Sequence, residues 1–429
     1  MIKVVIIGAG SGFGGKLSVD ILSREPLRDS VIALCDIDAG RLAEVAGYVQ
    51  RTIERHSLPA KVICDTDRMK LLPSTDFVVT SVAVGGRAYW GRPYADDIQI
   101  PAKYGVDQWI GDTTGPGGVF RFLRTAPVQL QFCRDIEDFC PHALLLNYTN
   151  PMAMLTWLHC AASSVRNVGL CHSVQGTIRR LSEFAGLAHE EISYLVAGIN
   201  HQSWVLEFRH KGKDAYHLIR KAMSDPECYA RENIRFEIMR HFGYFPTESS
   251  GHNSEYLPYF RRTQKERDKF HLRSRVVGDV PKEREWEKDA GVDGGQPLGA
   301  LVRSHEFASG IMEGVVTNRP FHFNGNVMNA GLIANLPEGC CVEVPCYADA
   351  GGIHASHVGA LPAQCAGINR MSIAVQELAV KAFLNRDKEA AFHAVAMDPL
   401  TMSVADLDDI RRMFDEMWEA QKHLLKHFE

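Results

Sequence analysis

The sequence predicts an α/β protein: a doubly wound, mostly parallel sheet over residues 1–195, followed by a mixed α+β domain over residues 196–429. Three features point to this. Short apolar runs alternate with helical periods through the first half, as repeated βα units require. The first run, Val4–Ile7, breaks into Gly8-Ala9-Gly10-Ser11-Gly12, a tight turn from strand into helix. At 429 residues the chain also exceeds what one ordinary core holds.

The elements follow in order. Val4–Ile7 reads as a strand and Gly14–Ser23 as a helix. Val31–Asp36 is a second strand. Ala39–Glu54 is helical because Leu42, Val45, Val49 and Ile53 share one side. Val62–Cys64 is a short third strand, and Phe77–Val84 a fourth, closed by Gly85-Gly86. Phe120–Phe139 is helical, and Ala143–Asn147, Val168–Cys171 and Leu195–Ile199 are strands.

Beyond residue 200 the pattern changes. Glu227–Phe242 is helical up to Gly243. Thr247–Asn253 reads as a polar loop, and residues 261–296 as a charged surface loop or lid. Val315–Val316 and Val342–Val344 read as short strands, Ser372–Leu384 and Asp406–Lys422 as helices. The apolar surface of those two helices suggests subunit contacts.

Bulk properties exclude several classes. A net charge of −5 gives no basic footprint for nucleic acid or an anionic membrane. No run approaches 18 apolar residues, so no membrane span is expected. The opening Met-Ile-Lys-Val-Val-Ile-Ile reads as a first strand rather than a signal peptide. The 11 cysteines include no CxxC pair and read as small buried hydrophobes of a reducing, cytoplasmic compartment.

Chemistry-bearing residues fall in four places. Gly8 and Gly10 allow close approach to a pyrophosphate, and Ser11, Gly12 and Phe13 open a helix whose amides would face it. The pattern departs from GxGxxG, with Phe13 at the third position and glycines at 12, 14 and 15. Asp36 ends the second strand, where an acid binds ribose hydroxyls. It would repel a 2′-phosphate, which favours NAD over NADP. Its plain alternative is a turn or cap residue.

Cys171 and His201 each end a strand-like run, where two soft ligands from neighbouring strands can share a divalent ion. A buried thiol and a hydrogen-bonded imidazole are the plain alternatives. Asn150, before Pro151, is a candidate donor to a substrate hydroxyl or simply the start of a helix. Glu248, His252, Glu255, Tyr256 and Tyr259 cluster in a segment that reads as facing substrate or as leading into a packed helix.

At this point the chain resembles glycoside hydrolase family 4. The segments that carry the resemblance are Gly8–Ser11, Asn147–Met154 (NYTNPMAM), Gly169–Thr177 (GLCHSVQGT), Ala197–His201 (AGINH), Thr247–Tyr256 (TESSGHNSEY) and Asn335–Glu343 (NLPEGCCVE). They occur in one order, from residue 3 to about 400. Cys171–Val174 (CHSV) is similar to the α-galactosidase branch rather than the phospho-glycosidase branches.

The resemblance implies a Rossmann-like fold, akin to lactate and malate dehydrogenases, with NAD⁺ and Mn²⁺ as cofactors. That NAD dependence sets the family apart from two-carboxylate glycosidases is a general point, not one read from this chain. The implied reaction is oxidation at sugar C3, loss of the C2 proton to a base, elimination of the aglycone, addition of water, and return of the hydride. The resemblance assigns Cys171 and His201 to the metal and Tyr256 to the base. It offers His172 or Asp112 as the acid, and Asn150, His172 and His252 as substrate contacts. His305 stands where similar α-galactosidases tend to carry Arg, and marks a further substrate-contact candidate.

An α-galactoside is the first expectation. α-Glucosides and α-uronides are alternatives with the same mechanism, and a plain NAD-dependent hydroxy-acid dehydrogenase is a third. A homodimer or homotetramer is implied.

Overall fold

The computed structural model describes residues 1–85, 92–275 and 301–429. Its centre is a 13-stranded sheet. The parallel half contains β1 (Ile2–Ile7), β2 (Ser30–Cys35), β3 (Lys61–Asp65), β4 (Phe77–Thr80), β5 (Leu144–Asn147) and β6 (Asn167–Gly169), in the order β3-β2-β1-β4-β5-β6. Its inner strands are nearly continuous Val, Ile and Leu because both faces are covered: Val4, Val5, Ile6, Val78, Val79, Leu145 and Leu146 are fully buried.

The covering helices are α1 (Gly12–Leu22), α2 (Ala39–Arg55), α3 (Tyr94–Lys103), α4 (Gly115–Phe139), α5 (Met152–Ala162) and α6 (Ser173–Ala185). Asp38 caps α2 by accepting from the Gly40 and Arg41 amides, and the predicted Leu42–Ile53 stripe is the buried face. Helix α4 starts at Gly115, earlier than expected. Pro116 suits a first turn, and Gly117 and Gly118 sit too close to the Gly111 and Thr113 backbone for any side chain.

The antiparallel half adds β7 (Ile192–Ile199), β8 (Gln202–His210), β9 (Lys213–Asp214), β10 (Phe245–Pro246), β11 (Phe321–Met328), β12 (Cys341–Asp349) and β13 (Gly352–Ala355). It joins the parallel half through β11 against β6, so one sheet runs across residue 195. Its helices are α7 (Tyr216–Ala222), α8 (Pro226–Arg231), α9 (Asn233–Phe242), α10 (Ser250–Tyr256), α11 (Gln264–Lys269), α12 (Ala308–Thr317), α13 (Ala363–Asn385), α14 (Lys388–Ala396), α15 (Pro399–Val404) and α16 (Leu407–Gln421).

Several expectations are corrected here. Val315–Val316 is not a strand but the end of α12, where Ala308, Ile311 and Met312 already set a helical burial period. The Glu227–Phe242 helix is two, broken at Glu232. Thr247–Asn253 is not all loop: Ser249 accepts from the His252 amide and starts α10. Residues 261–275 run largely exposed, as expected of a surface segment, but contain α11 and are anchored by buried Arg261, which donates to Asp107 and Ser254, and by buried Phe270. The rest of that charged stretch, 276–296, lies outside the described residues.

Much of the apolar surface of α13 and α16 is buried within the chain, while Leu384 and Leu407 remain exposed. Val375, Ala379, Phe383, Phe414 and Met417 pack with Phe120, Phe122 and Leu158 of α4 and α5 in one buried cluster. Among the described residues, no helix is long and apolar enough to cross a membrane.

The β1–α1 turn explains its irregular glycine spacing. A Cβ on Gly14 would lie 2.0 Å from the Ala9 carbonyl oxygen, so Gly14, not residue 13, allows helix and strand to touch. Gly14→Ala is expected to destabilise the fold by about 3 kcal/mol in urea unfolding. Gly176→Ala, in open helical space, should instead be neutral or stabilising by about 0.5 kcal/mol. Equal effects of the two would show that the turn has room to adjust.

Candidate active site

The cofactor-type loop is assembled by the backbone. The Gly8 and Ala9 amides both donate to the Cys35 carbonyl, at 2.9 and 3.0 Å. Gly8 has φ +89°, and a Cβ there would collide with the Ser81 carbonyl. The Gly10 amide donates to Asp36 Oδ2 at 2.8 Å, and the Asp38 amide to Oδ1 at 3.0 Å, which orients the Asp36 carboxylate against the turn. Ser11 precedes α1 without capping it, because its hydroxyl donates to the Gly8 carbonyl. The first-turn amides of α1 at Gly12 and Phe13 therefore have no side-chain cap. Uncapped amides, close-approach glycines and an oriented acid fit a dinucleotide.

From this loop a chain of contacts leads to the metal-type cluster. The Phe13 ring lies 5.4 Å from that of Tyr148. Two residues on, Asn150 donates to Asp112 Oδ2 at 3.1 Å, across a cis Asn150–Pro151 peptide that precedes α5. Asp112 Oδ1 accepts from Thr113 Oγ1 at 2.8 Å, and that hydroxyl lies 2.9 Å from His201 Nδ1.

Cys171 follows β6 and is half-buried, while His201 is buried in the two-residue turn between β7 and β8. The carboxyl-end rule for parallel strands therefore accounts for Cys171 only. His201 arrives by an antiparallel hairpin, with its backbone at φ +63°. Its Nδ1 also lies 3.2 Å from the Tyr256 hydroxyl. Cys171, His201 and Glu248 each offer a ligand atom within 4.8 Å of the others, and so do Asp112, His201 and His252.

Tyr256 and His252 are delivered by α10, which Glu255 clamps in place. The Glu255 carboxylate accepts from the Trp109, Ile110 and Gly111 amides at 2.6, 3.1 and 3.1 Å. This ties α10 to the loop that carries Asp112 and Thr113.

The charges in the cluster call for a cation. Burial alone favours a neutral His201 ring, but the Cys171 sulfur and the Glu248 and Asp112 carboxylates outweigh it and push His201 up to about 10. Buried Asp112 is held below the usual carboxylate range, because His252, Arg121 and His201 together overcome its burial. Such an anionic set of sulfur, nitrogen and oxygen donors fits a divalent ion.

Tyr256 is different. Burial, reinforced by the Asp112 and Glu255 carboxylates, pushes its phenol well above the ordinary value. The lowered pKa that a base needs does not come from the chain's own groups.

Residues 3–187 match the family 4 glycosyl hydrolase model, and residues 196–401 match the family 4 glycosyl hydrolase C-terminal domain. The chain belongs to glycosyl hydrolase family 4. It is 38% identical to the alpha-galactosidase of Bacillus subtilis (strain 168), covering 100% of both chains. It is 37% identical to the alpha-galactosidase of Rhizobium meliloti (strain 1021), covering 99% of this chain and 89% of that one. The 6-phospho-beta glucosidase of Thermotoga maritima, solved with manganese, NAD⁺ and glucose-6-phosphate, has the same fold. Its TM-score is 0.80 at 21% identity, covering 99% of each chain. This family 4 chain is a glycosidase.

The structure draws Cys171, His201, Tyr256, Asp112, Asn150 and His252 into one connected cluster. His172 is exposed beside it, its Nδ1 3.1 Å from Glu306 Oε1. His305 is exposed and contacts Arg179, outside the cluster. Sequence reasoning missed Thr113, Glu306 and the part played by Glu255. Thr113 stood beside Asp112 and Glu306 beside His305, but neither neighbour revealed which side chain faced inward.

Proposed function

We propose that this glycosidase hydrolyses α-galactosides with NAD⁺ and Mn²⁺, by oxidation, elimination, addition and reduction. The observation that carries this is that residues 148–150 join the Phe13–Tyr148 contact of the β1–α1 loop to the Asn150–Asp112 and Thr113–His201 contacts of the Cys171–His201 cluster, with Tyr256 at the end. A simple hydrolase needs no such loop, and a simple dehydrogenase needs no such cluster. Full-length similarity to two alpha-galactosidases supports the sugar.

When bound, NAD⁺ supplies a hydride acceptor for sugar C3 and Mn²⁺ a Lewis acid for the C3 oxygen. Gly8, Gly10, Ser11, Gly12, Phe13 and Asp36 hold the dinucleotide. Cys171 and His201 hold the ion. Tyr256 removes the C2 proton. Asn150 and His252 bind sugar hydroxyls, and His172, steadied by Glu306, gives a proton to the leaving oxygen, since Asp112 is held as a carboxylate by its cationic neighbours and has no proton to donate. His305 serves substrate only from outside the buried cluster.

The test is release of p-nitrophenol from the α-galactoside under reducing conditions, with NAD⁺ and Mn²⁺ each added and omitted. We expect release that needs both, without lasting NADH absorbance. Release only from α-glucosides or α-uronides would replace the sugar and keep the mechanism. Accumulating NADH would mean a dehydrogenase.

A further inference from the structure

Mn²⁺ favours oxygen ligands, yet Cys171 and His201 supply only sulfur and nitrogen. The structure places a carboxylate where an oxygen is needed. Glu248 Oε2 lies 4.0 Å from His201 Nε2, and the Glu248, Cys171 and His201 ligand atoms all fall within 4.8 Å of one another. The other Glu248 oxygen, Oε1, is anchored 3.1 Å from His252 Nδ1. One carboxylate oxygen thus lies beside His252 while the other faces Cys171 and His201.

Two further features single out this triad. His201 and Glu248 both hold left-handed backbones, at φ +63° and +72°. Such conformations are costly for residues with a Cβ and gather at ligand-binding points. His201 is also oriented correctly. Its Nδ1 is engaged by Thr113 Oγ1 and the Tyr256 hydroxyl, so Nε2 is the nitrogen turned to Glu248. Metal-binding imidazoles are commonly steadied through the opposite nitrogen in this way.

The rival triad of Asp112, His201 and His252 is less available. Its carboxylate is the reason: Asp112 already accepts from Thr113 and Asn150 on its two oxygens, although His252, held through Nδ1 by Ser249 Oγ at 2.8 Å, still turns Nε2 toward Asp112 Oδ1 at 3.9 Å.

We propose that Glu248 is a third protein ligand to the ion, through Oε2, beside Cys171 and His201. This rests on the Mn²⁺ reading given under Proposed function. Three protein ligands leave open positions for substrate oxygens.

The experiment is an Mn²⁺ titration of NAD⁺-saturated protein, followed by the electron paramagnetic resonance signal of free Mn²⁺. Wild type, E248Q and D112N are compared, with circular dichroism as the check on folding. E248Q is expected to weaken Mn²⁺ binding at least fivefold, and more than D112N does. A loss below fivefold overturns the proposal, and so does a larger loss in D112N, which would move the ion to the rival triad. If E248Q does not fold, E248N takes its place under the same criterion, because Asn tolerates a left-handed backbone. Absence of saturable Mn²⁺ binding in wild type would instead sink the Mn²⁺ reading itself, and Glu248 with it.

Discussion

Tyr256→Phe is expected to lower kcat for α-galactoside hydrolysis by about 10²–10⁴-fold, the range associated with losing a general base. The substitution keeps the buried ring, which is 3% exposed, and removes only the hydroxyl 3.2 Å from His201 Nδ1. The fold and NAD⁺ affinity should therefore survive. The chain alone holds this phenol neutral, since burial and the neighbouring carboxylates push its pKa up. On the proposed mechanism a cation at the cluster lowers it, and stripping the metal from wild type should cost at least as much as Tyr256→Phe, because the ion also serves the C3 oxygen. Two measurements separate a base from a mere packing residue. Wild type should exchange the substrate C2 proton with solvent deuterium, and the variant should not. With C2-deuterated substrate, the isotope effect on kcat should grow in the variant. If Tyr256→Phe keeps more than a tenth of wild-type kcat and still exchanges that proton, the base lies elsewhere.

The largest stability effect is expected at Arg124. Its guanidinium, 3% exposed, donates to both oxygens of Asp97 at 3.0 and 2.6 Å, and to Gln421 Oε1 at 3.0 Å. Gln421 Nε2 returns a bond to Asp97 Oδ1 at 2.7 Å, and all three residues are buried. The triad pins α3, α4 and α16 together. Arg124→Ala leaves the fully buried Asp97 carboxylate without its bidentate guanidinium, with Arg121 as the other cation that acts on it. Removing one partner of such a pair costs about 3–5 kcal/mol. The double variant Arg124→Met with Asp97→Leu, which removes both charges, should recover most of that loss in urea unfolding. If the single variant loses less than about 1 kcal/mol, the pair has water or another donor in reserve.

Much of this molecule was readable locally. The parallel half was visible because strands buried on both faces have to be continuous apolar runs, as in Val4–Ile7 and Leu144–Leu146. Asp36 and the glycine turn were visible because a cofactor loop is contiguous in sequence. Other features were misread for the same local reason. Val315–Val316 looks like a strand when taken alone, but Phe321 and β12 pack against that segment as a helix. The α13 and α16 stripes were correctly apolar, yet periodicity cannot say whether an apolar face meets its own chain or another.

The site divides along the same line. Cys171 and His201 were each identifiable as candidate ligands, and the motif order named the family. Their meeting was not deducible, because thirty residues separate them and one comes from a parallel strand end while the other comes from a hairpin turn. The sequence by itself determined the chemistry available: which side chains can ligate, donate or turn tightly. The tertiary structure alone decided which of them converge, bringing both Glu248 and Asp112 within 4.8 Å of His201 and sending His305 outward to Arg179. The physical reason is range. Periodicity and turn signals report on neighbours within a few residues, whereas a metal site is defined by atoms a few ångströms apart in space and far apart along the chain.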